Sequence, residues 1–223
     1  MDSILFSAGT QRHVASEEWY SEIIVGGYGA IIFDCDGTLV DSSEAHFQSF
    51  KTAVRAQGYD MNCDWYFART GLDREATLRA FSADINGRFD VMQAAQDSIA
   101  AFIVNAKAVS PIPEVVDLIK AFGPAFPMAV GTNAETSVAR ASLQAVGLID
   151  RFSYIVSVSD GLSAKPSPDI FVEATARLAC SAAQTLVFED SKEGVSAALA
   201  AGLDVIHLGA RSRDSHGACR QSR

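Results

Sequence analysis

The chain has no long apolar stretch: across its 223 residues no run reaches the ~18 that a membrane-spanning helix needs. Residues 1–20 lack a basic segment followed by an apolar one, so no secretory signal is read there. Excess positive charge is missing too. With 18 Lys+Arg against 27 Asp+Glu and a formal net charge of −9, the chain is poorly suited to a nucleic acid or an anionic membrane. Cysteine is sparse, four residues with no CxxC spacing, which fits a reduced, cytoplasmic protein. Internal repeats and low-complexity segments are absent. What is present is 48% hydrophobic residues, enough for a sizeable core, in a length that holds one α/β domain and a smaller module.

The apolar run Ile31-Ile32-Phe33 reads as a buried parallel strand that ends in two carboxylates, Asp34 and Asp36, before Gly37 turns the chain away. Paired acids at the end of a buried strand repel each other and resist desolvation unless a cation stands between them. That points to a metal-assisted reaction site at the top of an open α/β sheet. A plainer role for both acids is to cap the following turn. Five strands are expected, at 30–34, 127–132, 153–159, 184–189 and 204–208, and helical patterns alternate with the later ones, so the sheet should be parallel. Ala139, Leu143 and Val146 share one helical face that Gly147 ends. Ser167 and Pro168 open another helix, and Val195 and Leu199 mark a third, closed by Gly202. Residues 42–108 carry helical pattern with little strand signal: Ser43 is placed to cap a helix bearing Phe47, Phe50 and Val54, and further helices are read at 72–81 and 89–106. Residues 1–28 show no clear periodicity and read as a disordered arm, an added helix around 17–24, or the product of an early start. Residues 211–223 are polar and basic, as a tail would be.

Three more segments carry chemistry. Thr132 and Asn133 end the strand Met128-Ala129-Val130-Gly131; alone they would read as a helix start. Lys165 stands in Lys165-Pro166-Ser167-Pro168, where a lone lysine would ordinarily be a solvated charge. Glu189 and Asp190 follow the apolar run Leu186-Val187-Phe188; Asp190 with Glu193 could also form a capping box. Taken in order, Asp34-x-Asp36-Gly37-Thr38, Thr132, Lys165-Pro166 and Glu189-Asp190 resemble the four motifs of the haloacid dehalogenase superfamily. The resemblance spans about 30–208.

That resemblance implies a Rossmann-like three-layer α/β core with a parallel sheet (29–41 and 109–210) and an inserted α-helical cap (42–108), as in the β-phosphoglucomutase-like branch. Residues 1–28 would be an N-terminal extension and 211–223 a C-terminal tail. It implies Asp34 as nucleophile and Asp36 as general acid and base. Thr132 and Asn133 would bind the transferring phosphoryl group, and Lys165 would supply a cation. Mg²⁺ would be held by Asp34, the Asp36 carbonyl and Asp190, with Glu189 direct or through water. Within the cap, the segment 71–75 resembles a specificity loop that would turn Arg74 to the non-transferring end of the substrate, and His46 matches a cap-entry histidine. Without the family, Arg74 is a helix surface charge and His46 a seam residue. Cys35 is read as packing. The expected activity is a Mg²⁺-dependent phosphatase acting on a small phosphorylated metabolite, a sugar phosphate above all, through an aspartyl phosphate. A β-phosphoglucomutase-like phosphomutase is the alternative, weakened by the lack of a counterpart to the mutase cap lysine. No nucleic-acid or membrane partner is expected, and a monomer is favoured.

Overall fold

The computed structural model describes residues 1–69, 72–86 and 88–209. The 211–223 tail and Gly71, which opens the 71–75 segment, lie outside the described residues. The elements, in chain order, are β1 (Asp2–Ser7), β2 (Thr10–Ala15), α1 (Trp19–Val25), β3 (Ala30–Phe33), β4 (Val40–Asp41), α2 (Ser43–Ala56), α3 (Cys63–Phe67), α4 (Arg74–Asp84), α5 (Val91–Asn105), β5 (Ser110–Pro111), α6 (Pro113–Ala121), β6 (Met128–Thr132), α7 (Thr136–Ala145), β7 (Tyr154–Ser157), α8 (Asp169–Arg177), β8 (Thr185–Glu189), α9 (Lys192–Ala200) and β9 (Asp204–Leu208).

The central sheet runs β2-β1-β9-β8-β3-β6-β7. From β9 to β7 every pairing is parallel. Strands β3, β6 and β8 are buried along their whole length, as parallel strands covered on both faces must be. On one face Ile31, Phe33, Val130 and Phe188 pack with Trp19 and Ile23 of α1, Val115 of α6 and Leu143 of α7. On the other, Ile32, Ala129 and Val187 pack with Phe171 of α8 and Ala198 of α9. Helices on both faces of a mostly parallel sheet make the three-layer α/β arrangement.

The N-terminal segment departs most from expectation. Its residues form a hairpin that extends the sheet: β1 pairs antiparallel with β2 and with β9. The two-residue turn Ala8-Gly9 has positive φ at both positions, the type I′ geometry that matches strand twist. Helix α1 then docks its Trp19 beneath the sheet. Of the readings open for residues 1–28, the helix near 17–24 is present, beside two strands that no periodicity announced.

Helices α2 to α5 form a second body. Phe47, Phe50, Leu78, Phe81 and Ala94 bury one another in a cluster separate from the sheet's. The chain leaves the sheet after β3 and returns through β5, which pairs with β4 to tie the two crossings together. Boundaries shift by one to three residues from expectation: the position capping α2 is Ser42, the helix read at 72–81 is α4 (Arg74–Asp84), and α8 starts after Pro168. Ser191, not Asp190, caps α9, its side chain accepting from the Gly194 N–H, so Asp190 is free of that local duty. Among the described residues no helix is long and apolar enough to cross a membrane.

Candidate active site

Strand order places the site. After the N-terminal hairpin, the parallel part of the sheet begins at β3, builds outward through β6 and β7, then crosses back to β8 and β9. The strand direction of travel reverses beside β3, and such a switch point opens a crevice at the carboxyl ends of the strands. Asp34 leaves β3 there, Thr132 ends β6 and Glu189 ends β8, while Lys165 arrives from the loop after β7. All four, with Asp36, Asn133 and Asp190, line one cavity of about 460 Å³, which His46 and Arg74 of the helical body also line.

Lys165 organises the floor. Its Nζ donates to Asp34 Oδ1 at 2.6 Å and to Glu189 Oε1 at 2.7 Å, and the ammonium lies 4.6 Å from the Phe171 ring centroid. Its backbone is clamped by Asn133, whose Oδ1 accepts the Lys165 N–H at 2.8 Å and whose Nδ2 donates to the Lys165 carbonyl at 3.3 Å. Burial alone would lower the lysine's pKa, but Asp34 and Glu189 outweigh it, so the ammonium is held charged. Glu189 is committed on both oxygens: Oε2 accepts from the Ser191 N–H and hydroxyl. Gly194 makes room for it, since a Cβ there would stand 1.8 Å from Glu189 Oε1.

One ammonium faces three carboxylates, of which Asp34 and Glu189 are buried and Asp190 stands at the open side. Burial pushes the Asp34 carboxyl well above its usual range; Lys165 pulls it back, and Glu189 and Asp190 push it further. Burial also pushes Asp190 up to about 7, helped by the charge of Glu189. Asp190 presses onto the turn after β3, within 3.3 Å of the Thr38 hydroxyl. A cluster short of positive charge invites a cation. Among the described residues no three acidic, histidine or cysteine side chains converge as a cage. Two carboxylates and a main-chain carbonyl suit Mg²⁺, which takes hard oxygen ligands and keeps several waters.

Asp36 is set apart from this cluster. It accepts a short hydrogen bond from the Ser42 hydroxyl, and His46 Nε2 stands 3.2 Å away. Burial would raise its carboxyl, but His46, then Ser42 and Arg74, win and hold it below the usual range. His46 packs against Phe102 of α5, ring centroids 4.4 Å apart, so the helical body fixes the imidazole. Cys35, between the two acids, is buried in the core as expected. The Thr132 hydroxyl accepts the Ala134 N–H at 3.0 Å, leaving its own proton for a ligand.

Arg74 lines the cavity, but it is no surface charge. It is buried, with Nε within 2.9 and 3.0 Å of the two Glu135 oxygens and Nη1 3.0 Å from the Ser98 hydroxyl. Two participants escaped sequence reasoning. Ser42 enters the sequence reading only as the first residue of the helical segment, and Glu135, two residues beyond Asn133, carries no signal of its pairing with a residue 61 positions earlier.

Residues 31–208 match the family described as haloacid dehalogenase-like hydrolases, and the chain belongs to that family. It is 29% identical over 185 residues to the fructose-1-phosphate phosphatase YqaB of Escherichia coli (strain K12), covering 81% of this chain and 96% of that one. It is 31% identical to protein CbbY of Rhodobacter capsulatus, covering 79% and 83%. The crystal structure of CbbY from Rhodobacter sphaeroides in complex with phosphate superposes with a TM-score of 0.72 at 25% identity, covering 80% of this chain and 84% of that one.

Proposed function

We propose that this enzyme is a phosphatase that hydrolyses the phosphate monoester of a small sugar through an aspartyl phosphate on Asp34. The convergence of Asp34, Thr132, Lys165 and Asp190 at the carboxyl ends of neighbouring strands carries this reading. The likeness to a phosphatase named for fructose 1-phosphate supports the substrate class.

Lys165 fixes one Asp34 oxygen at 2.6 Å, which leaves the other to attack phosphorus. As the Asp34 O–P bond forms, the bond from phosphorus to the sugar oxygen breaks. Asp36 delivers a proton to that leaving oxygen. The ligand-free carboxyl is held low, but an incoming phosphate dianion adds negative charge beside it and raises its proton affinity. In the second step Asp36, now a carboxylate, takes a proton from water as the water oxygen bonds phosphorus and the Asp34 O–P bond breaks. Ser42 and His46 hold Asp36 in place for both transfers. The Thr132 hydroxyl and the Lys165 ammonium bind the phosphoryl oxygens.

Asp34, Asp190 and the Asp36 carbonyl are the residues that would hold Mg²⁺, with Glu189 direct or through water. When bound, Mg²⁺ supplies the positive charge that three carboxylates and a phosphate need in one cleft. Asn133 acts one step back, by holding Lys165.

The test is product analysis with Mg²⁺ over a panel of sugar phosphates, with Asp34→Asn as the blank. Free phosphate from wild type alone is expected. Phosphate release by Asp34→Asn at the wild-type rate would overturn the nucleophile, and glucose 6-phosphate formed from β-glucose 1-phosphate without free phosphate would make the enzyme a mutase.

A further inference from the structure

The helical side of the cavity presents two arginines, and both are already paired. Arg69 donates from Nη2 to Asp84 at 2.8 Å and lies over the Trp65 ring. Arg74 is paired with Glu135, which reaches up from the residue preceding α7. The second pair differs in kind from a surface ion pair. Its side chains are only 6% and 21% exposed, so water does little to screen it. Phe50 closes over the guanidinium at 5.1 Å, and Ser98 takes a further donor. Asp73, next to Arg74, also lines the cavity and adds a negative charge.

A ligand meets a consequence of this arrangement. A phosphate or carboxylate brought to Arg74 must displace Glu135 or lie beside it, and like charges in a partly desolvated site repel strongly. A hydroxyl pays no such penalty, because the Glu135 oxygens can accept from it. We propose that Glu135 determines specificity by charge: it neutralises Arg74, so the cavity admits phosphate esters whose far end is uncharged and hydroxylated and rejects bisphosphates and phosphorylated acids. The inference rests on the phosphatase reading above and names the substrate class within it.

The experiment compares kcat/KM for fructose 1-phosphate and fructose 1,6-bisphosphate in wild type, Glu135→Gln, and Arg74→Gln/Glu135→Gln, each checked by thermal melt. In parallel, calorimetry measures the affinity of both compounds, with Mg²⁺, on an Asp34→Asn background. Wild type should favour the monophosphate. Glu135→Gln should move the ratio toward the bisphosphate by about tenfold or more, the scale of one close charge pair. The double variant should return it to the wild-type value, because the freed Arg74 is what attracts the second phosphate. A wild-type preference for the bisphosphate, a ratio unmoved by Glu135→Gln, or binding of neither compound would overturn the proposal. The two readings fail separately. Affinities that shift without turnover keep the role of Glu135 and remove the phosphatase, whereas turnover with unmoved ratios does the reverse.

Discussion

Gly37 and Asp190 stand so close that a Cβ on residue 37 would lie 2.1 Å from an Asp190 carboxylate oxygen. Gly37 also has φ of 96°, in the region that side-chain-bearing residues avoid. Two demands therefore meet at one residue: the turn after β3 needs the backbone freedom, and Asp190 needs the space. Gly37→Ala should cost about 1–3 kcal/mol in stability from backbone strain, and it should push Asp190 away from Asp34. The Mg²⁺ dissociation constant, read by calorimetry, should rise by about tenfold or more, as expected when the support of a metal ligand is lost. An unchanged Mg²⁺ affinity would separate Asp190 from the metal.

The acid cluster predicts how pH and Mg²⁺ compete. Desolvation and the charge of Glu189 push the Asp190 carboxyl up to about 7, against 3.8 for a free carboxyl. The folded state therefore binds more protons than the unfolded state between about pH 4 and 7, and metal-free stability falls as pH rises through that window. Asp34 shifts in the same direction. A cation competes with the protons bound at Asp190 and Asp34, so the rise in Tm on adding Mg²⁺ should be small at pH 5 and grow toward pH 8. Melting curves across that range, with and without Mg²⁺, decide the point. A Mg²⁺ effect independent of pH would mean that the ion binds elsewhere.

Asn133 tests whether holding Lys165 matters as much as having it. Both amide atoms of Asn133 bond the Lys165 backbone, a use that sequence reasoning did not foresee when it read Asn133 as a phosphate donor. Asn133→Ala should leave Lys165 charged but loosen its placement, and small misplacements in a site of this kind cost up to about 100-fold in rate. The expected pattern is a fall in kcat with KM little changed. A rise in KM at constant kcat would instead place Asn133 on the substrate.

The elements that carry the reaction were legible because they are buried on both faces. Strands β3, β6 and β8 carry the apolar stretches Ile31-Ile32-Phe33, Met128-Ala129-Val130 and Leu186-Val187-Phe188, each followed within two residues by a polar side chain at the strand tip. Asp34 and Glu189 stand out on that contrast, whereas Thr132 alone reads as a helix start and gains its role only from its place among the ordered motifs. What could not be read was pairing over distance. Nothing near Arg74 marks Glu135, and nothing near Asp36 marks His46 except the family resemblance. The hairpin was hidden for another reason. Strand β1 buries Ser3 along with Leu5, and β2 buries only Val14, so neither alternates in hydrophobicity. Their turn is Ala-Gly, where the usual hairpin signal is Asn-Gly or Asp-Gly.

Trp19 joins that hidden segment to the chemistry. Its side chain is fully buried, its Nε1 donates to the Ser3 hydroxyl at 2.9 Å, and its ring meets Phe188 edge-on with centroids 5.2 Å apart. Phe188 immediately precedes Glu189, so the N-terminal segment braces the strand that holds Lys165. Trp19→Ala opens a large cavity there and should cost about 3–5 kcal/mol, lowering Tm by about 6–20 °C for a chain of this size. Trp19→Phe keeps most of the ring contact and removes only the donor, at about 1 kcal/mol, because Ser3 still donates to the Val14 carbonyl. The ordering of the two variants carries the argument. If Trp19→Phe proved as damaging as Trp19→Ala, the hydrogen bond to β1 would matter more than the packing on Phe188. If neither moved Tm by more than about 2 °C, less than 1 kcal/mol would reside in the contact and the segment would not brace β8.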